Sequence, residues 1–107
     1  MALRKSVEET WVVEGDRRDW LDKCANAMRR QGFKPVTCDE SKYQVSGTWK
    51  PVMGTLNGEV AVTLLPEGNH STRIQATGTG AADNIFALFS SPGKRLIGKF
   101  KSGLGDA

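Results

Sequence analysis

Two thiols, one imidazole and a scatter of carboxylates are the groups in this chain with chemistry to offer. The histidine, His70, stands in Gly68-Asn69-His70-Ser71, a run of turn formers in which an imidazole is normally solvated. Cys24 falls on the apolar stripe of a helix, where a thiol behaves as a small hydrophobe, so no nucleophile–base pair with His70 is expected. No spacing of His, Cys, Asp and Glu supplies the ligand set of a metal centre. We therefore expect no metal or cofactor and assign no catalytic residue; the reading is of a non-enzyme. Gly78-Thr79-Gly80-Ala81-Ala82-Asp83 imitates the start of a dinucleotide loop. Asp83, however, replaces the third glycine, and no later strand completes a βαβ unit. A carboxylate there also repels phosphate, which leaves a glycine turn followed by a helix cap.

Glu9 is harder to place. It lies between Val7 and Trp11 on the strand face assigned to the core, where an unpaired carboxylate is costly. A frayed strand, a basic partner or a pocket would each account for it. Glu9, Trp11, Trp49, Phe89 and Phe100 form the candidate ligand-binding set, between the sheet and the C-terminal helix. The alternative set is Lys42, Lys50 and Arg73, on the opposite and open sheet face, for nucleic-acid phosphates. Sheets that bind nucleic acid usually add exposed aromatics, whereas Tyr43 and Trp49 alternate onto the other face.

The elements that position these groups follow from periodicity. Ser6 to Glu14 alternates as a strand, and Gly15-Asp16 breaks it. From Arg17 to Gln31, Trp20, Leu21, Cys24, Ala27 and Met28 make one helical stripe, with Asp16 as N-cap and Gly32 as a left-handed stop. Phe33 to Cys38, Lys42 to Lys50, Glu59 to Leu65 and Ser71 to Thr77 read as strands. Asp39-Glu40-Ser41 is a turn, Asn57-Gly58 a turn or bulge, Pro66 to Asn69 another turn, and Gly78-Thr79-Gly80 ends the sheet. Asp83 can cap a helix from Asn84, and Ser91-Pro92 can open one, giving one kinked helix or two short ones. Ile85, Phe86, Phe89, Leu96, Ile97, Phe100 and Leu104 fall on one arc, with Lys94, Arg95, Lys99 and Lys101 outside it. This closing stretch also suits a membrane surface, but the sheet needs a lid and no other segment supplies one.

The result is an α+β fold of a single domain over residues 1–107. An antiparallel sheet of about five strands carries two helices on one face, in the order β-α-β-β-β-β-α. Trp11, Trp20, Leu21, Val45, Trp49, Val62, Ile74, Ile85, Phe89, Ile97 and Phe100 should share one core. With 107 residues, 38% hydrophobic, 25% charged and a net charge of +3, the chain reads as globular and only mildly basic. MALRKSVEETW lacks the apolar stretch of a signal peptide, so a bacterial-type cytoplasmic setting with reduced Cys24 and Cys38 is expected, and the sequon Asn69-His70-Ser71 is idle.

This element order, closed by a long helix over an antiparallel sheet, resembles the TATA-binding-protein-like and Bet v1-like folds. The segment NIFALFSSPGKRL is similar to the end of small uncharacterised bacterial domains. Larger Bet v1-like proteins hold apolar ligands between helix and sheet. The resemblance thus implies a binding or interaction module for a protein partner or a small apolar ligand, with a nucleic-acid domain as the alternative.

Overall fold

The computed structural model describes residues 3–49, 57–82 and 92–104. The chain runs β1 (Leu3–Glu14), α1 (Arg17–Gln31), β2 (Val36–Asp39), β3 (Gln44–Trp49), β4 (Asn57–Glu67), β5 (Ser71–Ala82) and α2 (Pro92–Leu104). The five strands form one antiparallel sheet in the order β1-β5-β4-β3-β2. Both helices pack on the same face, which matches the expected α+β order.

Alternation sets that face. Trp11 pairs with Ile74, Ile74 with Leu64, and Val62 with both Ala76 and Val45, so one row of apolar side chains crosses the sheet. Val45, Val60, Val62, Leu64, Ile74 and Ala76 are buried beneath the helices, while Gln44, Ala61, Leu65 and Arg73 face outward. Helix α1 adds the stripe read from its period: Trp20, Leu21, Cys24, Ala27 and Met28 are all buried. It stops as expected. Gly32 takes a left-handed conformation and donates to the Arg29 carbonyl at 3.1 Å, while the Phe33 N–H reaches the Met28 carbonyl at 3.0 Å. Asp16 occupies the N-cap position in extended conformation, but its side chain makes no capping hydrogen bond.

The far end of the sheet departs from the sequence reading. Gly78, Thr79 and Gly80 do not end it; they lie inside β5 and pair with both β1 and β4. Their smallness serves the helix above: a Cβ on Gly78 would overlap the Gly93 carbonyl and come within 2.9 Å of Ile97 Cγ1. Asn57-Gly58 is likewise paired strand rather than a turn or bulge, with Gly58 opposite both Trp49 and Gly80. Pro66 and Glu67 continue β4, so its hairpin turns at Gly68-Asn69-His70. At the other end, β3 begins at Gln44, because the Asp39 carboxylate holds a turn ahead of it. Its Oδ1 accepts from the Ser41 hydroxyl at 2.7 Å, the Ser41 N–H at 3.1 Å and the Lys42 N–H at 3.2 Å. These bonds hold its carboxyl below the ordinary value, and Tyr43 completes the turn with φ of 53°.

Helix α2 starts at Pro92, the first-position proline expected after Ser91. Whether a helix precedes it, with Asp83 as cap and Ile85, Phe86 and Phe89 in the core, lies outside the described residues. Leu96, Ile97 and Phe100 are completely buried against the sheet and α1. A Cβ on Gly103 would stand 2.6 Å from the Ala27 carbonyl, so the two helices also touch closely. Of the expected core, Trp20, Leu21, Val45, Val62, Ile74, Ile97 and Phe100 are buried, and Trp11 and Trp49 pack half-buried at its margins. Cys24 and Cys38 are free thiols, one buried and one exposed. Burial, with Cys38 nearby, pushes the Cys24 thiol from its ordinary 9.0 up to about 12.

Two predictions follow from this packing. Phe100→Ala should lower the unfolding free energy by about 3–5 kcal/mol and Gly78→Ala by about 1–3 kcal/mol, with exposed Lys94→Ala near neutral, read from denaturant melts. The neutral Cys24 thiol is favoured by the fold. Its contribution should therefore be full below the ordinary value of 9.0 and decline as pH rises from there towards about 12. The difference between wild type and Cys24→Ala in melts across that range isolates it.

Candidate functional site

The odd-numbered residues of β1 point to the helical layer, and because β1 ends the sheet they meet α2 at an open edge. Here the Trp11 ring lies 6.5 Å from the Phe100 ring, centroid to centroid, tilted by 50°. One position beyond Phe100, Lys101 leaves the core and folds over β1. Its Nζ is 3.4 Å from Glu9 Oε1 and 4.9 Å from the centroid of Trp11. Glu9 thus has the basic partner that its inward position called for. Both side chains remain partly exposed, so the pair contributes about 1 kcal/mol at most.

Below this pair opens a cleft of about 210 Å³ lined by Trp11, Val13, Trp20, Lys101 and Leu104. Trp20 forms its second aromatic wall, anchored by Nε1 donating to the Glu14 carbonyl at 2.7 Å. That bond uses the only polar atom of the indole, so the walls are apolar and the Glu9–Lys101 pair is the polar feature near the mouth. The floor is tied to the sheet. Thr72 Oγ1 donates to the Gly15 carbonyl at 2.8 Å, and the Gly15 N–H donates to the His70 carbonyl at 2.7 Å.

Of the candidate ligand set, Glu9, Trp11 and Phe100 therefore come together, and Phe89 lies outside the described residues. Trp49 sits elsewhere, towards the opposite sheet edge. It packs against Phe33, with centroids 5.5 Å apart, and under Lys99 Nζ, 4.5 Å from its ring. Helix α2 passes between the two indoles, and the buried Leu96, Ile97 and Phe100 fill the space beneath it. The opening is thus beside the helix, not under it. Val13, Trp20, Lys101 and Leu104 were missed as site residues. Trp20 reads as core, Lys101 reads as solvated, and only the unmatched charge of Glu9 signalled a basic neighbour.

Larger hollows are less suited to an apolar ligand. One of about 290 Å³ lies between two turns and is lined by Gly15, Asp16, Asn69, His70 and Ser71 among others, mostly polar. Another, of about 360 Å³, involves the outer sheet face with Thr37, Gln44, Ser46 and Thr63. The alternative nucleic-acid set does not assemble. Lys42 belongs to the turn before β3, while Arg73 lies two strands away with its guanidinium 2.8 Å from Glu67. Lys50 is outside the described residues. Tyr43 carries the Arg17 guanidinium 3.9 Å from its ring centroid and offers no free stacking face to that surface.

No protein-family model matches the sequence, and no curated protein sequence does. Solved structures do match in shape. A truncated norcoclaurine synthase from Thalictrum flavum superposes with a TM-score of 0.64 at 9% identity, covering 96% of this chain and 92% of its own. The adenylate sensor of AMP-activated protein kinase, solved with ATP, gives 0.63 at 19% identity over 87% of this chain and 92% of that one. A conserved protein from Geobacillus kaustophilus gives 0.54 at 13% identity, over 95% and 92% of the two chains. Element order, sheet topology and these superpositions together give the chain a Bet v1-like α+β fold.

Proposed function

We propose that this domain is a non-catalytic binding module that takes a small apolar ligand in the cleft of Trp11, Val13, Trp20 and Leu104. The observation that carries this reading is the cleft's composition. Two indoles and two aliphatic side chains line a concave opening at the surface, where apolar walls are otherwise costly to leave wet. Its volume is below the roughly 300–1,000 Å³ of drug-sized pockets, which suits one or two rings or a short acyl chain. One of the superposing structures, norcoclaurine synthase, was solved with dopamine and hydroxybenzaldehyde, which supports a preference for small aromatic molecules in this fold. The non-catalytic part rests on the chain's own groups. His70 is exposed in its turn, and both thiols are pushed above their ordinary value by burial, away from the reactive thiolate.

The same geometry gives the rival readings little support. The apolar face of α2 is occupied by the core, so we expect no sedimentation with anionic vesicles. The scattered cations of the outer face should give only weak, salt-sensitive nucleic-acid binding; submicromolar affinity at ~150 mM salt would reverse the ranking.

Indole, naphthalene and short fatty acids titrated against intrinsic tryptophan fluorescence test the cleft directly. At least one class should bind saturably, and Trp11→Ala should weaken it by about tenfold or more, about 1.4 kcal/mol, without loss of the folding transition. Trp49→Ala, on the other side of α2, should leave the affinity within about twofold. Equal losses from both substitutions would place the ligand elsewhere.

A further inference from the structure

Strand β1 is an open edge, and the two sheet edges differ in how they are protected. The β2 edge is four residues long and follows directly on Pro35, a common way to blunt an edge. The β1 edge is twelve residues long, contains no proline and pairs with β5 without interruption from Leu3 to Glu14. Among the described residues no strand covers its outer side. On that edge Trp11, Val12 and Val13 are consecutive and apolar. Val12 is 52% exposed on the outer face, and Trp11 and Val13 line the cleft on the inner one.

We propose that β1 pairs with β1 of a second copy of this chain, antiparallel and centred on Val12. The occupant is a second copy because the strand's charges and apolar residues select a self-pairing register. Residues directly opposite in an antiparallel pair share a face, so only registers of matching parity arise. Centring on Glu8, on Glu9 or on Trp11 places, respectively, Glu8 opposite Glu8, Glu9 opposite Glu9, or Glu8 opposite Glu14, and like charges directly opposite are destabilising. Centring on Thr10 sets Glu9 against Trp11, and centring on Val13 sets Glu14 against Val12. Registers nearer the N-terminus leave Val12 and Val13 uncovered.

Centred on Val12, the strand matches itself. Val12 meets Val12 on the outer face, Trp11 meets Val13 twice on the inner face, and Thr10 faces Glu14. Aromatic against β-branched is among the favourable cross-strand pairs. The two clefts then adjoin across the twofold axis, and each copy's Trp11 and Val13 close the open side of the other's. The interface is isologous and closes on itself, so it gives a dimer rather than a fibre. Five paired residues per copy make it small, hence dependent on concentration. The pairing rests on the strand edge and not on the ligand reading.

Sedimentation velocity of the full chain through the micromolar range should show a species of twice the 11.7 kDa chain mass that grows with concentration. Val12→Glu should weaken the association by at least about tenfold while leaving the melt close to wild type, because residue 12 is exposed in the single chain. Leu65→Glu, exposed on the same face but away from the edge, should leave it unchanged. In a Cys38→Ser background, Val12→Cys should form a disulfide-linked dimer under air oxidation, and Glu8→Cys should not. A chain that stays at single-chain mass, a dimer that survives Val12→Glu, or crosslinking through residue 8 rather than residue 12 overturns the proposal. Ligand titration of the Val12→Glu monomer reads the cleft separately, so failure of one reading is distinguishable from failure of the other.

Discussion

The fold depends on how closely α2 approaches the sheet. Backbone meets backbone where Gly78 of β5 lies under Gly93, and the next strand also yields, since a Cβ at Gly58 would overlap the Thr79 carbonyl and crowd Leu96 at 2.9 Å. Glycine is unfavourable in a strand interior by its flexibility and its lack of a side chain to pack. Here the loss is offset by the burial of Leu96, Ile97 and Phe100, each contributing about 1.5–3 kcal/mol. At its other end α2 meets α1 through Gly103 and Ala27, again by close contact of small residues. A helix pinned at both ends leaves little room beneath it, which is why the opening lies beside it.

That constraint explains the character of the cleft. The β1 edge extends past the cover of α2, so its inward residues are only half shielded: Val7, Glu9, Trp11 and Val13 are all intermediate in exposure. Phe100 supports Trp11 from the core side, and Lys101 lies across it from the solvent side. Long cationic side chains commonly cover apolar surface with their stems while the head stays wet. Lys101 does so here and neutralises Glu9 as well.

Much of this was legible in the sequence where one physical rule acted alone. Helix α1 was, because its apolar period, the Gly32 stop and the position of Asp16 all agree. The strand sequence was too, since alternation separates Val45, Val62 and Ile74 from their polar neighbours. Misreadings arose where a residue answers to a distant partner. Gly78 and Gly80 look like punctuation, and nothing local reveals that they yield to a helix fifteen residues on. Lys42 and Tyr43 continue an alternating pattern, yet the Asp39 carboxylate draws the chain into a turn. Trp49 shares a face with Val45, but α2 divides the aromatic set into two groups that alternation cannot distinguish. Glu9 was legible as a problem, and Lys101, ninety-two residues away, was not legible as its solution.

The division of the aromatics has a mechanical side. Lys99 reaches from α2 to the Trp49 ring and Lys101 reaches to the Trp11 ring on the other side, at 4.5 and 4.9 Å. The two side chains act as outriggers on a helix whose buried face includes glycine and offers few side-chain ridges to resist rotation about its axis. A roll in either direction lengthens one cation–ring contact as it compresses the other. Each contact is worth about 0.5–1 kcal/mol at such exposure. Together they set the rotational phase of α2, and with it how far Leu104 leans over the cleft.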